Sequence, residues 1–565
     1  MYHYQTDEST NLTGEIRARR ALNENKTNLL WTPVRKLYRA PLPPGFSQFP
    51  SCKIILIIVL LHRIHIYSSF NFVVGLTAAR RNISNITNED STVTAQLFLS
   101  CARLLAPVAG MMADMYVPRV KMLSLCFFSS FIGSAIQSMF HTLYENKIGY
   151  IQDYAYFIVH GIALTLIAVG SSGAYALLVP VGVDQMEGAN ETRLKSYFSW
   201  HYWFINLGVV FVAGKFFINM EGYLKWQRPY IHLISSYTAT LSIWLALIIL
   251  VLSSSFGLVQ RNKPPKGTPL TQVVGVFNCA VRNKYTKKRE RNYVKHSFFE
   301  YALVENNGRY SYGQVQDVKT FFKILGVLVC LIWYFGVDNL YNTIFPLQAT
   351  EISGADDNFD STRTIFFSVC LTIMLVLPLI EFLRLSCNKF HFGFKRILHK
   401  ILIGVVLGFF AIIIALSINL VYYFGDVHGT DNAIIIPQTI IIALSECFAF
   451  VGAMEFVYAQ APHQMIGLLF GIFQSVIGIG YYIPTIMYYI LQRITSCYDN
   501  LHCGQCLIHW PPCFHISKPK SLNFAYYCVF AVFTIVYIIL MVCVAKCYKR
   551  RERQKIEVWP KADNF

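Results

Sequence analysis

Residues 397–425 read ILHKILIGVVLGFFAIIIALSINLVYYFG, and from Ile401 to Gly425 there is no charged side chain. At about 1.5 Å of rise per residue, a helix of that length passes through the roughly 30 Å hydrocarbon core of a bilayer. Similar runs lie near 53–79, 93–113, 121–141, 153–182, 197–218 and 229–256, then near 320–347, 364–386, 433–459, 464–491 and 523–547. Together they predict an all-α polytopic membrane protein with twelve transmembrane helices. The composition, 54% hydrophobic and 14% charged over 565 residues, excludes a soluble globule. It also excludes a disordered chain, which is poor in apolar residues, and a coiled coil, which needs charge on most turns.

The runs divide six and six. Between them lies a polar segment, 257–319, with Arg261, Lys263, Lys266, Arg282, Lys284, Lys287, Lys288, Arg289, Arg291 and Lys295. The expected organisation is a cytosolic tail over 1–52, a six-helix bundle over 53–256, a basic cytosolic linker over 257–319, a second six-helix bundle over 320–547 and a cytosolic tail over 548–565. The first fifty residues show no leader pattern, so the N-terminus is expected in the cytosol. Arg119 and Lys121, the group Arg384, Lys389, Lys395 and Arg396, and the run Lys549 to Arg553 then all fall on the cytosolic side, as the positive-inside rule requires. Arg80 and Arg81 go against it. The net charge of +18 is accounted for by these loops and by anionic leaflets, without a nucleic-acid partner. The same topology puts the sequons at Asn82 and Asn85 outside, as glycosylation candidates. The stretch containing Cys497, Cys503, Cys506 and Cys513 is outside too, where disulfides are expected over a zinc site.

Ionisable groups inside spans cost about 2.5–3.5 kcal/mol each at mid-bilayer, so each is a functional candidate. They are His62, Arg63, His65, Arg103, His160, His201, Asp338, Glu446 and Glu455. No motif combines a nucleophile, a base and an oxyanion donor, and no glycine loop cradles phosphate, so neither an enzyme nor an ATP-driven pump is indicated. No cofactor or metal is implied.

Several stretches resemble the proton-coupled oligopeptide transporter family of the major facilitator superfamily. Span 4 has Gly170-Ser-Ser-Gly173 followed by Gly182-Val-Asp184-Gln185. Span 5 reads Ser199-Trp200-His201-Tyr202-Trp203-Phe204-Ile205-Asn206-Leu207-Gly208. Span 10 runs Glu455-Phe456-Val457-Tyr458-Ala459-Gln460-Ala461-Pro462 to Met465, and Gly110-Met-Met-Ala113-Asp114 with Arg119 is similar to the facilitator loop between spans 2 and 3. The resemblance implies a major facilitator fold with a central cavity. There the acid of span 10 holds a peptide's amino terminus and a basic residue of the other bundle holds its carboxylate, a division that suits the chemistry of a zwitterion. Glu455 and Arg63 are the matching pair. Tyr67, Tyr202 and Asn206 align with polar cavity residues. Asp114, Arg119 and Asp184 align with the gating loops.

The departures bear on coupling. Where the family's span 1 carries two acids before its arginine, this chain has Val59 and His62; the span 4 lysine aligns with Tyr175, and the span 7 coupling acid with Asn339. Asp338 is one residue away, about 100° around the helix. The proton-coupling candidates are therefore His62, Asp338 and Glu455. His62 gains charge on protonation where a glutamate would lose it. The pattern is similar to a divergent peptide/histidine transporter, which implies alternating-access transport of small peptides or amino acids such as histidine, with protons as possible co-substrates. An uncoupled transporter of another small organic ion and a non-transporting receptor or scaffold stay open as alternatives. Glu24 followed by Leu29-Leu30 resembles an acidic dileucine signal, and with the branch resemblance favours an endosomal or lysosomal membrane over the plasma membrane.

Overall fold

The computed structural model describes residues 50–79, 98–145, 153–186, 189, 191–220, 241–255, 269–287, 297–353, 358–386, 397–424, 432–502 and 519–548. The sequons at Asn82 and Asn85, Cys503, Cys506, Cys513 and the side chain of Cys497 lie outside them. In chain order the helices of the first half are α1 (Pro50–Ala79), α2 (Phe98–Met115), α3 (Arg119–Glu145), α4 (Asp153–Asp184), α5 (Glu191–Met220) and α6 (Leu241–Ser255). A linker helix α7 (Pro269–Lys287) follows. The second half has α8 (Tyr312–Asp338), α9 (Leu340–Ser353), α10 (Asn358–Ser386), α11 (Ile397–Phe424), α12 (Ile436–Gln460), α13 (Ile466–Gly480), α14 (Ile483–His502) and α15 (Pro519–Cys547).

Ten spans among the described residues are long and apolar enough to cross a membrane, two fewer than the twelve runs predict. The described part of α6 is a shorter apolar helix, Leu241–Ser255. α5 carries His201 and Asn206, both buried, among its apolar residues. Outward-facing side chains are apolar, as lipid demands: Leu375 and Phe382 on α10, Phe410 and Val421 on α11, Val532 and Ile539 on α15 are all exposed.

Spans 7 and 11, each expected as one run, are each broken once within the span. α8 ends at Asp338 and α9 starts at Leu340; α13 ends at Gly480 and α14 starts at Ile483. Asn339 closes both breaks by donating from Nδ2 to the Tyr481 carbonyl at 2.8 Å. Such interruptions are tolerated in a bilayer only where protein satisfies the freed backbone groups. The expected linker is also partly helical, and α8 begins earlier than the run at 320, with a capping box in which Gln314 Oε1 accepts from Ser311 N at 3.0 Å.

The halves meet through α2 and α4 against α13, and α5 against α10 and α12. At the end that carries Asp114 the approach is close. A Cβ on Gly467 would lie 2.9 Å from the Gly110 carbonyl oxygen and 2.9 Å from Asp114 Oδ1, and one on Gly110 would run into the Gly467 carbonyl. Only glycine fits on either side.

Candidate functional site

Two helices of the first half, α1 and α2, bring positive charge to the centre, and α4 and α5 pack around it. Gly208, the last residue of the span 5 signature, lets α1 lie directly on α5: a Cβ there would come within 2.7 Å of Arg63 Cβ and 2.9 Å of the Leu60 carbonyl. Arg63 is buried, with its guanidinium over the Tyr175 ring at 5.3 Å. Arg103 of α2 covers the same ring at 4.8 Å and Tyr481 at 5.1 Å, and donates from Nη1 to Gln474 Oε1 at 2.7 Å. Tyr175 therefore sits between two guanidinium groups where the family places a lysine. His62 meets the edge of the same ring at 5.5 Å, and its buried Nε2 has no hydrogen-bond partner. Each guanidinium–ring contact contributes about 0.5–2 kcal/mol, far less than an ion pair would. Arg63 makes no ion pair with a described carboxylate.

The second half brings carboxyls. Asp338 is the last residue of α8, at the break, and Glu446 projects from α12; both are buried and close enough to interact electrostatically. The Tyr202 hydroxyl of α5 donates to Glu446 Oε2, and its ring stacks on Phe450 at 4.5 Å. Asp338 Oδ1 and Glu446 Oε1 have no hydrogen-bond partner among the described residues. Tyr67 and Tyr341 bridge the two charge clusters through Phe366, at 5.7 and 5.9 Å.

Of the residues that the sequence singles out, Arg63, Tyr67, Tyr175, Tyr202, His62, Asp338 and Asn339 gather at this centre. Glu455 does not. It is held by Lys400 of α11 at 2.8 Å, buried within the second half. Nine residues separate it from Glu446, which at 100° per residue turns the two acids to opposite sides of α12. Asn206 lies near the centre, but its Nδ2 donates to the Tyr202 carbonyl of its own helix at 3.0 Å. Asp114, Arg119 and Asp184 form a separate cluster at one end. Arg119 pairs with Asp114 at 3.0 Å and with Asp184 at 2.9 Å, while Asp114 Oδ2 accepts from Leu468 N, at the start of α13, at 2.9 Å. That bond ties the two halves together and puts negative charge at a helix N-terminus.

Sequence reasoning gave no site role to Glu446, Arg103, Gln474 or Tyr481. For Glu446 a signal existed. Lys400, at the start of span 9, and Glu455, at the end of span 10, lie at the same level of antiparallel neighbours, so the two can pair and Glu446 is the span 10 acid without a basic partner on span 9.

The POT family profile, PTR2, matches residues 131–502. Among curated relatives, "Protein NRT1/ PTR FAMILY 8.1" of Arabidopsis thaliana is 25% identical over 390 residues, 59% of this chain and 66% of the relative. "Solute carrier family 15 member 3" of Mus musculus is 23% identical over 504 residues, 78% of this chain and 83% of the relative. The crystal structure of an auto-inhibited POT family peptide transporter superposes with a TM-score of 0.61 at 16% identity, covering 89% of this chain and 98% of that one. With the signatures of spans 5 and 10 inside the matched region, which is about two thirds of the chain, and the fold shared with a POT family structure, the chain belongs to the POT family.

Proposed function

We propose that this chain is a secondary transporter of small zwitterionic peptides or amino acids such as histidine, in which two six-helix halves alternate around the central cavity. The observation that carries this reading is the separation of charge. Two buried arginines belong to the first half, two buried carboxyls to the second, and Arg103 lies within electrostatic reach of Asp338. A zwitterion presents one carboxylate and one ammonium, and bidentate guanidinium contacts suit the first as carboxylates suit the second. Arg63 and Arg103 take the substrate carboxylate; Glu446, oriented by Tyr202, takes the ammonium. The Asp338–Glu446 pair also supplies a proton site, in place of the acids missing from span 1 and displaced in span 7. The contact of Asp114 with α13 and that of Ser196 Oγ with Glu381 Oε2 at 2.9 Å serve as gate contacts between the halves. The sorting-signal resemblance supports an endosomal or lysosomal membrane, where an acidic lumen supplies the gradient.

The test is uptake of labelled dialanine and of labelled histidine by the purified full chain in liposomes, with and without an acid exterior. Uptake above protein-free liposomes, increased by the gradient, is expected. Uptake that ignores the gradient supports an uncoupled transporter, and no uptake of either compound leaves the receptor or scaffold reading.

A further inference from the structure

Away from the cavity, one face of α3 carries Ser130, Ser134, Gln137 and His141, spaced by four, three and four residues, which is the spacing of a single helical stripe. All four are buried. The stripe faces other polar groups. His65 Nε2 of α1 is 2.9 Å from Ser134 Oγ, Ser134 Oγ is 3.2 Å from Ser242 Oγ of α6, and Ser242 Oγ is 3.1 Å from Ser69 Oγ of α1. About one turn beyond Ser134, Gln137 is 0% exposed, and neither its amide nitrogen nor its amide oxygen has a hydrogen-bond partner. Its two amide atoms each cost about 1–3 kcal/mol if left dry, and polar cavities of this kind hold ordered water.

The column has two ends. On the outer side His141 stands 6.5 Å, ring to ring, from His160 of α4. It is four residues from the end of α3, which is about 6 Å along the helix. On the inner side His65 is one turn from His62, at the edge of the central cavity. The groups facing these imidazoles are few. His62 meets Arg63 and His65 of its own helix, Arg103 from α2 and Tyr175 from α4, while α3 offers it Phe127. His65 meets the hydroxyl of Ser134, which Ser242 joins from α6, and His160 meets His141. Among the described residues, no carboxylate appears in the contacts of His62 and His65.

We propose that this column holds a chain of ordered water and conducts protons from the outer ends of α3 and α4 to His62, inside the first half and apart from the substrate cavity. Each hop breaks one O–H or N–H bond as the next oxygen or nitrogen along the chain gains a proton, so the column is left unchanged after a proton has passed. Its advantage is separation: substrate and proton reach the centre by different routes, and a cavity blocked by substrate stays accessible to protons. The use of the route rests on the transport reading above, whereas the presence of water does not.

Two measurements test it. In X-ray radiolytic footprinting of the purified full chain, water beside a side chain generates the radical that oxidises it. His65 and His141 are expected to oxidise several-fold faster than Phe530, a buried residue of α15, and Gln137→Leu to slow His65. Oxidation of His65 no faster than that of Phe530 overturns the water column. In liposomes, Ser134→Ala and Gln137→Leu are expected to lower gradient-driven dialanine uptake several-fold while preserving exchange of labelled for unlabelled dialanine at equal pH, which needs no net proton movement. Equal loss of both activities, or unchanged gradient-driven uptake, overturns the proton route. A parent protein that moves no dialanine refutes the transport reading and the route together, and the footprint alone then decides whether the column holds water.

Discussion

Replacing Gly110 by alanine adds a methyl group where α2 meets the backbone of α13. The added Cβ runs into the Gly467 carbonyl, which cannot swing aside as a side chain would, and the next turn offers no relief because Gly471 is packed equally close to Ala106 and Pro107. Overpacking of this kind costs about 1–3 kcal/mol, and any separation of α2 from α13 also weakens the charge-assisted bond from Leu468 N to Asp114, a contact worth about 1.5–3 kcal/mol. The cost applies only while this end is closed. A state in which the helices have parted has room for the methyl group, so the ratio of closed to parted molecules should fall by about 5–150-fold for 1–3 kcal/mol. Spin labels introduced through unnatural amino acids at Tyr116 and Gln464 report the distance across this end by pulsed electron resonance. The parent should give a short distance and Gly110→Ala a population shifted to longer ones. An unchanged distribution would refute the claim that these glycines set the closed state.

Lys400→Met should lower the melting temperature sharply, because removing one partner of a buried ion pair costs about 3–5 kcal/mol, and adding Glu455→Gln should recover most of the loss; a double variant no more stable than the single one would show that the pair is not the reason. In the linker, the Glu300 carboxyl is held down at about 2, first by the hydrogen bond to the Ser297 side chain and then by that to Lys319. Its depressed folded-state value means that its contribution is complete above the ordinary glutamate range and is lost as pH falls from about 4.3 towards 2. Protease cleavage near Phe298–Ala302 should therefore increase across that window in the parent and already be raised at neutral pH in Glu300→Gln; equal cleavage of the two at neutral pH would count against the ion pair as the latch. Mass spectrometry of protein purified without reductant should find disulfides among Cys497, Cys503, Cys506 and Cys513, and four free thiols would place that loop in the cytosol or at a metal.

Much of the fold is legible because lipid imposes one rule on every span: backbone groups must be satisfied within the helix, so long apolar runs read as helices. The rule fails where polar groups serve the site. The breaks at Asn339 and Tyr481 are hidden because the helix segments on either side of each break are apolar. Arg63, Tyr67 and Tyr175, which the alignment of spans 1 and 4 singles out, lie together in the structure because α1 and α4 pack side by side. In the second half the span 10 signature is densest around Glu455, which pairs with Lys400, while Glu446, the acid beside Tyr202, lies two and a half turns earlier. Arg103 was given no role because its partner, Gln474, is 371 residues away and neutral, a contact that no local pattern announces.

The central claim is that Glu446, and not Glu455, is the acid of the transport site. Gradient-driven uptake of labelled dialanine, measured side by side in Glu446→Gln and in the Lys400→Met/Glu455→Gln double variant at matched protein in the liposomes, tests it most directly. Glu446→Gln should lose the uptake, because the cavity keeps its arginines without the acid that Tyr202 orients; the double variant should keep most of it, because a neutral pair replaces a neutral pair outside the cavity. Loss in the double variant with retention in Glu446→Gln would contradict the account and return the role to Glu455.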